Sequence, residues 1–328
     1  MPPSLLRFLK DWTLPVAMGT GTALYFLFHL TPGLEPVARW YAPLHGHALP
    51  QLMLLILYVT FCKVDFRRLR PVRWHAWAAL TQAALILLLV GGTRLVGLGE
   101  RPLVLMEALL VCVMAPCAAA AAVVTAKLGG DLEEMTTYTL LSNFLSALLI
   151  PLCFPLLPRL AGEAGVHFLP LFLRILWRVS LVLVLPLGLA LFTRRFLPRC
   201  HRRVAETKDL GYYLWAVLLA AVTGTTVMNI REAWSHTPAP FLLLIAGGTA
   251  ALCLLQYAAG RLLGRPFGRT VEGGQSLGQK NTAFAIWAAT VFLHPLSSVG
   301  PGCYILWQNT INSLQIGRYR RRGLKRSS

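Results

Sequence analysis

Four polar or charged side chains follow one another at one point of a very hydrophobic chain. They end the stretch Gln275-Ser276-Leu277-Gly278-Gln279-Lys280-Asn281-Thr282, which follows two glycines and precedes an apolar run over residues 283–293. A charged side chain at membrane depth costs about 2.5–3.5 kcal/mol even on insertion scales, so this stretch is expected to face protein or a water-filled cavity. Amide, hydroxyl and ammonium groups in that setting favour the binding of ions or polar solutes.

The composition of the chain excludes an ordinary soluble protein. Its 328 residues are 56% hydrophobic and 13% charged, and its mean hydropathy is +0.59, which is typical of a polytopic membrane protein. The net charge of +18 comes from short basic clusters between apolar runs, a pattern that indicates membrane topology rather than nucleic-acid binding. The sequence contains no CxxC pair, phosphate loop, histidine metal cluster or nucleophile elbow, so we predict neither an enzyme nor a cofactor.

Ten segments are long and apolar enough to span a bilayer, which needs ~20 mostly apolar residues. They cover residues 12–30, 47–62, 74–96, 102–126, 133–157, 168–193, 210–230, 240–262, 275–294 and 299–316. With both termini in the cytoplasm, the inner segments hold 23 of the 31 Lys and Arg residues and the outer segments hold five. This imbalance predicts one integral membrane domain over residues 1–328 in the plasma (bacterial inner) membrane, with a basic cytoplasmic tail at 317–328 that contacts anionic lipid.

The outer segment 158–167 divides the spans five and five, and an odd number of spans per half places the halves in opposite orientations. Inverted repeats are a common transporter plan in which two corresponding helices are interrupted near the membrane midplane. Pro116 removes a backbone donor in the fourth span, and Gly273, Gly274 and Gly278 loosen the backbone of the ninth. We therefore predict an all-α fold of ten transmembrane helices in two inverted five-helix repeats, with broken fourth and ninth helices that cross.

Short motifs in these spans carry a family resemblance. The fourth span has Pro116 followed by Ala121-Ala122-Val123-Val124-Thr125, and the ninth has Ser276-Leu277-Gly278-Gln279-Lys280-Asn281-Thr282. Gln82 lies in the third span, and Trp307-Gln308-Asn309 lie in the tenth. In layout and in these residues the chain resembles the bile acid:sodium symporter family from about Asp65 to Ile316.

The resemblance implies two groups of helices that move against each other to alternate access. A core comprises residues 74–157 and 240–316, and a panel comprises residues 12–62 and 168–230. In the family, two sodium ions sit where the broken helices cross. The corresponding ligand positions are altered in this sequence, where they are occupied by Ala121, Ala122, Ser276 and Lys280.

The ion or coupling site implied by the resemblance is extended by Glu272, which lies one helical turn before Ser276. The site then consists of Gln82, Thr125, Thr139, Glu272, Ser276, Gln279 and Lys280. The ammonium of Lys280 is expected to occupy the space of a lost sodium ion. The alternatives are a structural salt bridge with Glu272 and a side chain that extends to the inner membrane surface. The coupling ion is sodium or a proton.

The expected substrate cavity lies beside the helix breaks and is lined by polar residues. They are Asn143, Asn281, Thr282, Gln308 and Asn309. Hydrogen bonding between helices is the alternative role for such residues. Glu107, a lone carboxylate in an apolar stretch, is interpreted as a proton carrier or as a partner of Arg174 or Arg178.

These features predict a secondary active transporter that moves a small organic anion across the lipid bilayer by alternating access. One alternative is a proton-coupled carrier or uniporter of the same fold. Another is a membrane sensor or assembly subunit that does not transport. The predicted partners are the bilayer and the organic anion, without nucleic acid.

Overall fold

A computed structural model describes residues 13–95, 99–161, 167–207, 209–234 and 237–327. Within these residues the regular elements are helices and none is a strand, which confirms the predicted all-α class. The α-helices are α1 (Thr13–Leu30), α2 (Glu35–Cys62), α3 (Arg73–Leu95), α4 (Glu100–Met114), α5 (Ala120–Lys127), α6 (Leu132–Cys153), α7 (Pro158–Ala161), α8 (Phe168–Leu183), α9 (Leu185–Phe196), α10 (Pro198–Glu206), α11 (Leu210–Ala233), α12 (Ala239–Gly264), α13 (Thr270–Gly278), α14 (Thr282–Phe292) and α15 (Val299–Ser327). Short 3₁₀ helices occupy Pro32–Leu34, Phe66–Arg68, Phe154–Leu156, Arg265–Phe267 and Pro295–Ser298.

Several of these helices can cross a membrane. Four in the described part of the chain are long and apolar enough to do so: Arg73–Arg94, Leu132–Leu156, Leu210–Glu232 and Ala239–Phe267. The pair α8 and α9, bent by 45°, adds a fifth if the two helices form one span. The chain is therefore an integral membrane protein, although fewer spans pass this test of length and composition than the ten that the sequence predicts.

The chain divides into two compact units. The first contains the chain up to Lys63 together with Leu181–His236. In this unit α1 packs along α11, and α2 contacts both α9 and α11. The hydroxyl of Tyr58 on α2 donates a 3.2 Å hydrogen bond to the hydroxyl of Thr193 on α9, which ties these two helices together.

The second unit contains Val64–Ser180 and Thr237–Ser328. Here α13 packs against α12, and α4 contacts α3, α12 and α15. One buried cluster in this unit includes Trp74, Ala121 and Tyr138. Residues 168–180, in α8, belong to this second unit.

The glycines predicted to interrupt the ninth span do not lie in an interruption. Gly273 and Gly274 are inside α13, and Gly278 is its last residue. A Cβ atom added to Gly273 would overlap the carbonyl oxygen of Gly260 on α12, and one added to Gly260 would overlap that of Gly273. At this contact the absence of a side chain allows two helix backbones to approach closely, as small residues do between membrane helices.

The last helix also differs from its prediction. α15 spans Val299–Ser327, so residues 317–327 continue the helix beyond the predicted span 299–316. Arg318 and Tyr319 are exposed on this extension. The side chains of Arg320 and of the residues after Arg321 lie outside the described ones.

Replacing Gly273 by alanine is expected to destabilise the purified protein by about 1–3 kcal/mol, the usual cost of inserting a methyl group into a filled contact. Gly247 on α12, where an added Cβ would meet nothing within 4 Å, provides the matched control. Because alanine favours a helix over glycine by about 1 kcal/mol, Gly247→Ala is expected to be neutral or stabilising. Thermal unfolding in detergent measures both variants. Equal effects of the two substitutions would show that the α12–α13 contact does not require glycine.

Candidate functional site

Two helices of the second unit are interrupted. The first break separates α4, which ends at Met114, from α5, which begins at Ala120. It contains Pro116, as predicted, whose nitrogen has no hydrogen to continue the helix. The second break separates α13, which ends at Gly278, from α14, which begins at Thr282. Lys280 lies in this second break.

The two breaks lie side by side and pair through their backbones. Ala118 N donates to the carbonyl oxygen of Gln279 at 3.0 Å, and Asn281 N donates to that of Pro116 at 2.8 Å. Cys117 and Lys280 face each other between these bonds as an isolated antiparallel bridge. The predicted proximity of the two interrupted helices is therefore present, and it takes the form of a very short β-type pairing.

Side chains from two other helices hold the central residues of the breaks. The hydroxyl oxygen of Ser142 on α6 accepts a 2.5 Å hydrogen bond from Cys117 N. Gln308 on α15 holds both sides of Lys280: its Oε1 accepts from Lys280 N at 2.9 Å, and its Nε2 donates to Lys280 O at 3.2 Å. Peptide groups that the breaks remove from helical bonding thus find partners in the protein interior, where unpaired ones would be costly.

The carboxyl end of α4 receives a cation. The carbonyl oxygen of Val113 accepts hydrogen bonds from Gln82 Nε2 at 3.0 Å and from Lys280 Nζ at 3.1 Å. The neighbouring carbonyl of Met114 accepts from the hydroxyl of Ser146 on α6 at 2.8 Å. Lys280 is 1% exposed, so its ammonium is enclosed by protein. A helix carboxyl end carries partial negative charge, which favours a cation at this place.

The carboxyl end of α13 is satisfied without a charged group. The carbonyl oxygen of Gly278 accepts a 2.9 Å hydrogen bond from the hydroxyl of Tyr304 on α15. That hydroxyl in turn accepts from Gln256 Nε2 on α12 at 2.9 Å. The two half-helix ends at the crossing therefore differ: one is bound by an ammonium and the other by a phenol.

The residues predicted as the ion site are only partly brought together. Gln82 and Lys280 meet at the Val113 carbonyl. The hydroxyls of Thr139 and Ser276 donate to backbone carbonyls of their own helices, Met135 at 2.9 Å and Gly273 at 2.7 Å. Thr125 Oγ1 and Gln279 Oε1 are buried without a hydrogen-bond partner among the described residues.

Glu272 is engaged elsewhere and does not pair with Lys280. Its Oε1 accepts a 2.7 Å hydrogen bond from Asp131 N, at the start of α6. The Lys280 ammonium donates instead to Val113, so the alternative of a salt bridge between the two is wrong for this structure. Glu272 lines a separate pocket of about 380 Å³ between two loops, together with Gly130, Asp131 and Arg269.

The residues predicted for the substrate cavity are mostly occupied with backbone groups. Gln308 holds Lys280 through its backbone nitrogen and oxygen. Asn281 Oδ1 accepts from Phe284 N at 3.2 Å and so caps the start of α14. Asn309 Nδ2 donates to Ile305 O at 2.7 Å within α15.

The other two residues of that set are enclosed in protein. Asn143 Nδ2 donates to Thr139 O at 2.7 Å, and its Oδ1 has no hydrogen-bond partner among the described residues. Thr282, at the start of α14, is buried.

Two ionic clusters flank the crossing within the second unit. Glu134 at the start of α6 binds Arg269 through both carboxylate oxygens, at 2.6 and 2.8 Å, and accepts from Trp74 Nε1 at 2.8 Å. The hydrogen bond to Glu134 raises the pKa of Arg269. At the other end, the buried Glu107 binds Arg159 at 2.8 Å and Ser297 Oγ at 2.9 Å.

The structure shows which arginine pairs with Glu107. The partner is Arg159 rather than Arg174 or Arg178, the two that the sequence suggests. Glu107 Oε2 also accepts from the backbone nitrogen of His294 at 3.2 Å, which follows α14. The cluster joins the beginning of the first broken helix to the end of the second.

Some residues of the site could not be recognised in the sequence. Ser142 and Ser146 stand out only as hydroxyls among others on α6, and Tyr304 is one aromatic residue in an apolar run. Their roles depend on which carbonyl or amide of a break faces them. That information lies in the packing of helices distant in sequence.

Replacing Glu107 by glutamine is expected to destabilise the protein by about 1–3 kcal/mol, because it leaves the Arg159 guanidinium without its anionic acceptor. Glu100→Gln is the matched control: its side chain is 75% exposed and 4.0 Å from His294. An exposed pair of this kind contributes about 0–1 kcal/mol. Thermal unfolding of both variants provides the measurement, and a loss in Glu107→Gln no larger than in the control would contradict a stabilising role for the cluster.

Comparison with known proteins identifies the family to which this chain belongs. A family model described as the Sodium Bile acid symporter family matches residues 50–233, which is 184 of the 328 residues. The matched region includes the first break and ends before the second. No curated protein matches the chain. With more than half of its length matched and a helical membrane fold, the chain belongs to the sodium bile acid symporter family.

Proposed function

We propose that this protein carries a small organic anion across the membrane by alternating access, and that the Lys280 ammonium takes the place of a bound sodium ion. Members of the family are transporters rather than enzymes. The observation that carries the proposal is the buried Lys280 ammonium, 3.1 Å from the Val113 carbonyl at the end of a half-helix. Half-helix ends and unwound carbonyls are the groups that hold coupling cations in transporters of this plan.

The side chains at the sodium-ligand positions implied by the family resemblance favour a tethered cation over a free one. A hard cation needs several oxygen ligands. Alanine side chains at positions 121 and 122 and the Met135 side chain offer none, and the Ser276 hydroxyl is bound to a backbone carbonyl. Two unit charges ~4 Å apart repel by roughly 4 kcal/mol at an effective dielectric of about 20, so the ammonium disfavours sodium beside it.

The pairing at the crossing supports the proposed inverted repeat of ten spans. Ala118 N donates to the carbonyl oxygen of Gln279, the residue before Lys280, and Asn281 N donates to that of Pro116, the residue before Cys117. Each break therefore makes the same hydrogen bond to the other. Ser142 and Gln308 accept from the central nitrogens in the same way. Any antiparallel pair bonds in this reciprocal way, and the antiparallel orientation of the two breaks is the one that a twofold axis between the halves would produce. The division of the chain into two units supports a core and a panel.

The charge at the crossing favours an anionic solute. The amino ends of α5 and α14 both begin at the breaks, and helix amino ends carry partial positive charge. The Lys280 ammonium adds a full positive charge nearby. Half-helix amino ends bind anionic substrate groups in other transporters with broken helices. The excess of basic residues on one side supports a location in the plasma (bacterial inner) membrane with both termini in the cytoplasm.

Uptake into proteoliposomes tests the sodium independence. Bile acids, keto acids and pantothenate-like acids are first screened for those that raise the thermal stability of the purified protein. Uptake of a stabilising acid is then compared in sodium and in choline buffers. We expect equal rates within about twofold, because a tethered cation needs no ion from solution. Strict dependence on sodium would overturn the proposal.

Replacing Lys280 by glutamine tests the role of its charge. The variant is expected to lose uptake and to be less stable by about 1.5–3 kcal/mol, the usual contribution of a hydrogen bond to a charged group. Because the expected ligand positions offer too few oxygens for a free cation, sodium is expected not to restore the melting temperature of Lys280→Gln.

The control for this substitution is Lys127→Gln, because Lys127 is exposed at the end of α5. It is expected to leave uptake and stability unchanged. A Lys280→Gln variant that transports normally would assign Lys280 a structural role alone.

A further inference from the structure

A second charged surface lies outside the crossing, on the short helix α10. We infer that α10 is an interfacial helix whose arginine face binds the headgroups of anionic phospholipids. This inference concerns the first unit and is independent of the solute and of the coupling ion.

The arginines of α10 share one face. Arg199, Arg202 and Arg203 recur at helical spacing, and all three are exposed. His201 and Val204 lie on the other face and are partly buried. The helix contacts α2 and α9, so its apolar face packs on the first unit and its basic face is left open.

Hydrogen bonds hold this helix in position. Lys63 Nζ, at the end of α2, donates to the carbonyl oxygen of Thr207 at 3.0 Å. Within α10, His201 Nδ1 lies 3.4 Å from the hydroxyl of Thr193 on α9. Because the backbone of the basic face is fixed before a ligand arrives, binding orders few additional groups.

The end of α9 indicates the depth of α10. Phe192 and Phe196 are 52% and 63% exposed there, and Arg194 and Arg195 lie in the last turn of the same helix. Because guanidinium groups are costly in the hydrocarbon core and extend to the membrane surface at helix ends, this end of α9 lies at the level of the lipid headgroups. Since α10 begins at Pro198, two residues after Phe196, it starts at that level. The Arg195 guanidinium lies 5.6 Å from the ring centroid of Phe196, which adds a cationic group there.

The balance of charge determines the class of lipid. Five arginines lie between positions 194 and 203, and the acidic residue of α10, Glu206, is paired with Arg202 at 3.2 Å. Clusters of about four to eight basic residues beside a membrane helix attract anionic lipids, whereas zwitterionic lipids carry no net charge. The planar guanidinium binds phosphate through two parallel hydrogen bonds, which suits arginine to this role.

Binding of phosphatidylglycerol to the purified full-length protein in a neutral detergent tests this inference, with native mass spectrometry as the measurement. The variant R199Q/R202Q/R203Q is expected to lose affinity for phosphatidylglycerol by at least about tenfold, because each basic residue near the surface contributes to the attraction. Binding of phosphatidylcholine is expected to be the same in variant and wild type.

A matched control removes the same charge elsewhere. Arg101, Arg178 and Arg231 are also exposed, but they lie on three different helices, α4, α8 and α11. R101Q/R178Q/R231Q is expected to change the affinity by less than about twofold, since these arginines do not form a cluster. Equal losses in the two variants, or no loss in the α10 variant, would overturn the inference.

Two further measurements distinguish a lipid surface from a misfolded variant and from a site for soluble phosphate. If R199Q/R202Q/R203Q does not fold, R199K/R202K/R203K retains the charge and is expected to keep at least about a third of the affinity; loss of binding in that variant overturns the inference. Glycerol phosphate at millimolar concentration is expected not to displace the lipid. Its displacement at that concentration would assign the surface to a soluble phosphate and overturn the inference.

Discussion

The second unit depends on how the peptide groups of its two broken helices are satisfied. A break in a buried helix exposes carbonyls and amides that water cannot reach, and each unpaired group is costly in such surroundings. Placing the breaks against each other solves most of this problem, because Ala118 and Asn281 donate to Gln279 and Pro116 across the crossing. The groups that remain determine which side chains the neighbouring helices must supply.

Three neighbouring helices supply those side chains. α3 brings the amide of Gln82 to the end of α4, and α6 brings two hydroxyls to the first break. α15 brings Gln308 and Tyr304 to the second break. Polar residues that resemble a solute-binding stripe in the sequence are therefore used largely for the structure of the crossing. This leaves Lys280 as the charged group among them, and its charge lies against a carbonyl rather than a carboxylate.

The sequence predicted the layout of this site better than its contacts. Composition and Pro116 were sufficient to predict a helical membrane protein with an interruption after Met114, because a proline cannot continue a helix. The glycines of the ninth span allowed two predictions, because a glycine can either interrupt a helix or let a neighbouring helix approach closely. The contact of Gly273 with Gly260 shows that it does the second, and Gly260 lies on a different helix, which the local sequence does not reveal.

The expected salt bridge between Glu272 and Lys280 is wrong for a related reason. It assumed that one helix carries both residues, whereas α13 ends at Gly278 and the chain then turns to pair with the first break. Once the helix has ended, helical spacing no longer places side chains on a common face. Lys280 is thereby directed to Val113, and Glu272 remains with Asp131 near the start of α6.

A tethered ammonium has consequences for the energetics of the proposed transport. A free sodium ion enters on one side and leaves on the other, and its gradient supplies free energy in each cycle. An ammonium that belongs to the protein returns with the protein, so it can stabilise the crossing in both orientations but cannot transfer energy from an ion gradient. A ligand shifts a conformational equilibrium only by its difference in affinity for the two states, and a covalently attached group is present equally in both. Under the proposed function, the solute's own gradient therefore sets the direction of net movement, unless Lys280 itself takes up and releases a proton on opposite sides.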